Sequence, residues 1–541
     1  MIRIRPELVF DNANVLTMAA AQPRAKALAI GDGRIVAVGS SSEVRAAAPR
    51  AQHVDLAGRT VLPGFIDAHA HVSQVGHELQ KVNLAPCRSI ADVLRAVGER
   101  ARSTPKGEWV EGSAMWHETA LAEKRFPTRR ELDAAAPDHP VYLPRGTRFF
   151  AVCNSLALQL AGIDEHTPEP DGGQFNRDPV SGELTGLLLQ RPAFALVQRL
   201  LPKPDASAKR RAIQHGQKLF SRAGVTSVVD PALLPDAQRA YVELWAEGAF
   251  TLRTNMTTIL DMSVPLSLSR EELLAKVDAL GPSSGFGDET LRLGQLKLFV
   301  DGFVETAWLH DGYANDPTFH GVQAVPRDTL IEAVCLANRN GWQVGVHCVG
   351  DAAVDLALDA LEAADRERPI SGRRWSLMHA VFASPSAMER ARKLGVVISA
   401  QQLLVYAFAP TMRACWGEAR MQHASPHRTW LDRGLVVAAG SDVVPFEPLL
   451  GIQSLVTRET LAAGIVGPGE RVSRTEALHM YTVAGAYLTH EEQLKGSLEV
   501  GKLADLVILD GDPLTCPQTE IKNIPIVATL LGSQVTYGAL P

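Results

Sequence analysis

The sequence predicts an α/β protein built on a (β/α)8 barrel, and three observations carry that expectation. Eight short, apolar, β-rich runs recur along the chain, at 60–71, 224–232, 250–260, 291–302, 342–350, 374–382, 396–404 and 435–444. Most are followed by a helical pattern, and strand and helix in alternation describe a parallel sheet wrapped by helices. The runs are almost continuously apolar, as strands buried on both faces should be. A doubly wound open sheet reads the same locally; the count of eight favours closure into a TIM-like barrel.

The chain ends stand outside this rhythm. Strand-like text from Leu8 to Thr17, Ala27 to Ile30 and Ile35 to Gly39 opens the chain, the last two segments joined by a DGR turn, and LADLVILDGDP and IVATLLGSQVTYG close it. Neither end has enough apolar surface to stand alone, so residues 1–59 and 490–541 are expected to form one small β-sandwich. The barrel should then occupy 60–489. Within it, the helical pattern Asp351 to Ala364 follows the fifth run, and Pro385 to Leu394, with Ser384 as its N-cap, follows the sixth.

About 150 residues separate the first run from the second, far more than a βα connection uses. This stretch carries apolar segments of its own, Trp109 with Trp116, Phe149 with Phe150, and the loop text PEPDGGQFNRDPVSG. It reads as a subdomain inserted at 75–222, expected to close over the barrel mouth.

Composition narrows the function. With 541 residues, 46% hydrophobic, the chain exceeds one small core. Sixty acidic residues against 54 Lys+Arg leave a net charge of −6 with no polybasic run, which argues against nucleic acid or an anionic membrane as partner. Six scattered cysteines form no CxxC pair, as expected in a reducing compartment. No run of 18 apolar residues and no signal-like segment occurs, so a cytoplasmic protein acting on a small molecule is the expectation. A homodimer is the assembly expected.

The text PGFIDAHAH ends the first run with His69 and His71. Residues two apart on a strand share a face, so both imidazoles can address one ion from the C-terminal rim. Alone, such a pair equally makes a hydrogen-bonded rim. His347 in WQVGVHCVGD, His379 in WSLMHAVF and Asp442 in LVVAAGSDVV also stand where an apolar run ends. Four strand ends with polar termini favour one shared cause, a divalent ion held by imidazole and carboxylate. Lys297, in LGQLKLFVDG, lies inside a strand expected to be buried, where a free ammonium is costly. An ion pair with Asp301 or Asp442 would relieve it, and so would carboxylation by CO2 to a metal-binding carbamate. His77, His117, His310, His320 and His427 read as surface or supporting groups, Cys348 as packing, and Asp351 as a helix cap or a partner that orients His347. No GxGxxG or GxxxxGK[ST] fingerprint supports nucleotide binding.

PGFIDAHAH, HCVGD, His379, GSDVVPFEP and the closing GKLADLVIL resemble the amidohydrolase superfamily. PTRRELDAAAPDHPVYL, NSLAL, AGIDEHTPEPDGGQFNRDPVSGELTG, and KLFVDG followed by HGVQAVP resemble amidohydrolase family 3, the branch that includes N-substituted formamide deformylases. The resemblance spans nearly the whole chain. It implies one or two divalent ions, zinc in expectation, bound by His69, His71, His347, His379 and Asp442, with Lys297 as a carboxylated bridging ligand. It implies hydrolysis of a carbon–nitrogen bond by metal-activated water, with Asp442 as base and then acid and with Lys297 and His379 in the catalytic set. An esterase, lactonase, carbamate hydrolase or deaminase would use the same site, and an inactive assembly protein is the non-enzymatic alternative.

The chain departs from the family pattern at four places. Phe149 stands where a histidine is common, Met378 where glutamate often precedes the sixth-strand histidine, Gln402 where SxQP has proline, and Gln190 where glutamate is usual. Phe149, Phe150, Trp109, Trp116 and Met378 are therefore expected to line a pocket for a neutral, hydrophobic substrate.

Overall fold

The computed structural model describes residues 6–78, 80–114, 116–145, 150–443 and 445–541, apart from the side chains of Thr119 and Arg191. It divides into two compact units, one of Met1–Val72 with Gln217–Pro541, the other of Ser73–Gly216.

In the first unit eight parallel strands follow one another in chain order: Phe65–Asp67, Val225–Leu233, Arg253–Ile259, Leu291–Phe299, Gln343–Cys348, Ser376–His379, Val397–Ala400 and Val437–Ala439. Each run read from the sequence coincides with one of them, the second strand extending one residue past its run. The seam between the first and eighth strands is closed by backbone bonds: Ala68 N–H donates to Ala439 O (2.9 Å), Asp442 N–H to His69 O (2.6 Å) and His71 N–H to Asp442 O (2.9 Å). The helix Asp351–Glu367 follows the fifth strand, and Pro385–Leu394 follows the sixth, its first turn capped by Ser384.

A layer of side chains fills the lumen below the rim. Ser376 Oγ donates to Gln295 Oε1 (3.0 Å), and Gly345 leaves the space that Met378 and Gln295 occupy, since a Cβ there would stand 2.3 Å from each. Met378 is 1% exposed. It is thus a barrel filler, not the rim-facing pocket residue expected, because a strand residue turned into a narrow barrel meets its cross-lumen neighbours first.

The first run also holds a boundary that apolarity alone conceals. Thr60–Pro63 pairs antiparallel with Leu506–Leu509 and parallel with Asn14–Leu16, so it belongs to a terminal sheet rather than to the barrel. Gly64 makes the change of sheet, its backbone lying so close to Thr226 that a Cβ would stand 2.2 Å from the threonine methyl. Around it, a six-stranded and a four-stranded sheet share one core that includes Phe10, Leu28, Val61, Leu506 and Leu530, drawn from both chain ends. Arg253 on the third barrel strand fastens this layer by a buried two-pronged bond to Asp505 (2.7 and 3.0 Å).

The second unit has its own five-stranded sheet, in the order Gln174–Arg177, Leu184–Leu189, Phe150–Cys153, Val141–Pro144, Val110–Glu111. The helix Ile90–Ser103, capped by Ser89, turns Ile90, Val93, Val97 and Ala101 inward at helical spacing. Trp116 packs in the same core, 6% exposed, with its indole N–H bonded to Pro144 O (2.8 Å), and Trp109 packs against a second core. Both tryptophans expected in a substrate pocket thus serve the cores of their own unit. Phe150 is half-buried beneath the Arg145 guanidinium, 4.8 Å from its ring centre, and Phe149 lies outside the described residues. Gln190 opens the helix Gln190–Gln198 at φ +67°.

Candidate metal centre

The rim of the barrel gathers the residues that the strand ends predicted. His69 follows the first strand and is 0% exposed, with neither ring nitrogen hydrogen-bonded to any described residue. Its Nε2 lies 4.0 Å from Asp442 Oδ1, and His71 Nε2 lies 3.2 Å from the same oxygen. One ligand atom from each of His69, His71 and Asp442 falls within 4.8 Å of the others. An unpartnered buried imidazole costs about 1–3 kcal/mol. Two nitrogens and a carboxylate oxygen suit a borderline cation such as zinc, so this donor set fits a divalent ion.

His379 joins by ring contact, 4.9 Å from His69 and 4.5 Å from His347, centroid to centroid. His347 turns Nε2 to Gly302 O (3.2 Å) and leaves Nδ1 unpartnered. These two histidines border the three-residue cluster without joining it. His379 and Asp442 both adopt φ +71°, a left-handed backbone that costs a non-glycine residue about 1–2 kcal/mol. Two strand ends of the rim, each carrying a polar group, thus adopt the same left-handed backbone.

Burial keeps the imidazoles of His69, His347 and His379 neutral, the state in which they bind metal. Burial, followed by the Lys297 charge, holds His69 well below its ordinary value; burial, then His379 and Lys297, does so for His347; and burial brings His379 to about 4 against the pull of Asp442. Burial alone would raise Asp442, but the hydrogen bond from His71 opposes it and the carboxyl is held well below its usual range. Lys297 is 2% exposed, its Nζ 4.7 Å from the Phe299 ring centre. Burial lowers it to about 8 against the fields of Asp442 and Asp230.

Neither ion pair expected for Lys297 forms. Asp442 lies against His71, and Asp301 against His347 Nε2 at 3.6 Å. Asp301 also accepts backbone N–H groups of Trp308 (3.0 Å), Val349 (2.9 Å) and Gly350 (2.8 Å). It, not Asp351, is the carboxylate beside His347; Asp351 accepts from His310 N (2.9 Å).

Three residues near the site escaped the sequence reading. Gln401, 3% exposed at the end of the seventh strand, faces His379 and donates to Ser399 Oγ (3.1 Å). Phe299 ends the fourth strand 4.4 Å from the His347 ring. Asp67, wholly buried, accepts from the backbone of both His69 and Ser441. Asp67 and Phe299 were within reach of strand periodicity, being two residues from His69 and Lys297 on the same face.

A family model described as "Amidohydrolase family" matches residues 52–537. The chain belongs to the amidohydrolase family. Among its relatives, an N-substituted formamide deformylase of Arthrobacter pascens is 31% identical, over 98% of each chain, and a putative amidohydrolase, YtcJ, of Bacillus subtilis is 30% identical over 98% of this chain and 99% of that one. The crystal structure of an uncharacterized metal-dependent hydrolase from Pyrococcus furiosus superposes with a TM-score of 0.74 at 29% identity, covering 94% of this chain and all of the other. This amidohydrolase therefore has the fold of a metal-dependent hydrolase and a His-His-Asp cluster at the barrel rim. Among the described residues no helix is long and apolar enough to cross a membrane.

Proposed function

We propose that this amidohydrolase cleaves the carbon–nitrogen bond of a small, neutral N-substituted amide or formamide bearing an apolar substituent. The observation that carries the reading is His69, fully buried with both ring nitrogens unpartnered beside His71 and Asp442. His69, His71 and Asp442 would hold one divalent ion, zinc by donor type, and His347 and His379, with the carbamate of Lys297, would help to hold a second. Bound there, such ions polarise a carbonyl oxygen and make water acidic enough to attack at neutral pH.

The side chains do the rest. Asp442, ionised at the outset, takes the proton of the attacking water; as the C–O bond forms and the C–N bond breaks, it returns that proton to the departing nitrogen. With a pKa of about 8, roughly a tenth of Lys297 is neutral at pH 7. That fraction can attack CO2, forming an N–C bond and losing a proton, which exchanges a buried cation for an anion among neutral imidazoles. The half-buried Phe299 beside His347 offers an apolar surface to the substituent. The named activity of the Arthrobacter relative supports the same substrate class.

The test compares kcat/KM for N-benzylformamide with that for a charged N-acyl amino acid, with and without chelator. At least a tenfold preference for the formamide, abolished by chelation and restored by zinc, is expected. A tenfold preference for the charged amide would overturn the substrate assignment.

A further inference from the structure

The three clustered donors come from opposite ends of the chain. His69 and His71 follow the first barrel strand and Asp442 the eighth, and the seam between them rests on a few backbone bonds. One side chain reaches across it. Asp67 Oδ1 accepts from His69 N–H (3.0 Å) and from Ser441 N–H (3.0 Å), so a single oxygen holds the residue that supplies one ligand and the neighbour of another. Gly440 clears the path: a Cβ there would stand 2.6 Å from His69 N and 2.9 Å from Asp67 Oδ1. The bond to Ser441 also steadies the turn that sets Asp442 at φ +71°.

We infer that Asp67 is a positioning residue that fixes the spacing of His69, His71 and Asp442 by clamping the two sides of the barrel seam through one oxygen. The inference rests on the metal reading above. It assigns the clamp to the place of the oxygen, not to a charge, because both contacts end on the same atom. Residues that orient metal ligands typically change affinity by about 10- to 100-fold when lost, which sets the expected scale.

The experiment measures zinc affinity by chelator competition, and hydrogen exchange of the metal-free protein, for wild type, Asp67→Ala and Asp67→Asn. Alanine should weaken zinc binding by about 10- to 100-fold and expose the amides at 69–71 and 440–442 to faster exchange. Asparagine keeps Oδ1, with the Ser441 hydroxyl beside the carboxyl to accept from the new amide, and should bind within about threefold of wild type by the same scale. Unchanged affinity in the alanine variant, or equal loss in asparagine and alanine, would overturn the inference. If the alanine variant does not fold, Asp67→Glu replaces it. Glutamate keeps the charge but displaces the oxygen, so it should lose affinity, and retention would overturn the clamp. Wild type that binds no zinc, with exchange still faster in the alanine variant, would overturn the metal reading and leave the seam contact itself standing.

Discussion

Two buried polar clusters of the barrel unit each contain histidine held neutral by burial, yet in one the histidine is tied into a hydrogen-bonded network and in the other neither ring nitrogen is bonded among the described residues. Arg458, 0% exposed at the end of the helix Pro448–Thr457, donates to Val466 O (2.9 Å), Gln402 Oε1 (2.8 Å), Ala424 O (2.7 Å) and Ser425 O (3.2 Å). Beside it His427, also 0% exposed, bonds Ser425 O through Nδ1 (2.7 Å); burial and then the Arg458 charge lower it to about 3. Gln402, which stands where family members have proline, passes the network on to Ser454 (3.1 Å). At the rim neither ring nitrogen of His69 is hydrogen-bonded to a described residue. A depressed histidine pKa is common to both clusters and so does not mark a site. What separates them is how far the imidazole is satisfied: His427 leaves only Nε2 without a partner among the described residues, whereas His69 leaves both ring nitrogens.

The largest effect expected is at the rim. His69→Ala should strip most of the metal while leaving the melting temperature of metal-free protein near that of wild type, because nothing in the fold uses its nitrogens. Elemental analysis showing full metal content would erase the distinction between the clusters. Asp442→Asn should fold and keep at least part of the metal, yet lose kcat by about two to four orders of magnitude; a loss of only a few-fold would move the base elsewhere, with His379 the first candidate.

The Arg458 cluster should answer in stability instead. Arg458→Met leaves Gln402 and several carbonyls without a donor and should cost about 3 kcal/mol or more in denaturant unfolding, with zinc affinity of the folded protein unchanged. Weakened zinc binding without destabilisation would join the two clusters functionally.

The smallest and sharpest test is pH. His427 has a folded pKa of about 3, below its unfolded value of about 6.5, so the unfolded chain binds a proton that the fold excludes. Its contribution is complete above about pH 6.5 and is lost as pH falls toward 3, at up to about 1.4 kcal/mol per pH unit. His427→Gln should flatten the stability profile between pH 6.5 and 5 by that amount. An unchanged slope would mean that His427 is not held neutral.

His427 itself shows where sequence reading ends. It read as a surface or supporting residue of a loop; the structure places it at the start of the helix His427–Asp432 and buries it completely, because burial at such a position depends on which distant elements fold over it. The same holds for Trp116, whose aromatic ring suggested a pocket but whose N–H found Pro144 within its own unit. Thr60–Pro63 read as barrel strand, yet its partners are Leu506–Leu509, more than four hundred residues away.

By itself the sequence settled the eight strands, their order and the polar residues at their ends, since apolar runs and two-residue spacing are local properties set by backbone geometry. That is why His69, His71, Lys297, His347, His379 and Asp442 were legible before any contact was known. Tertiary structure alone decided which of them share a point in space, that Lys297 pairs with neither Asp301 nor Asp442, and that Asp67 joins His69 to Ser441, a residue 374 positions further along the chain. The count of eight runs predicts that the barrel closes, but which side chains meet across the seam is a long-range outcome that no local pattern encodes.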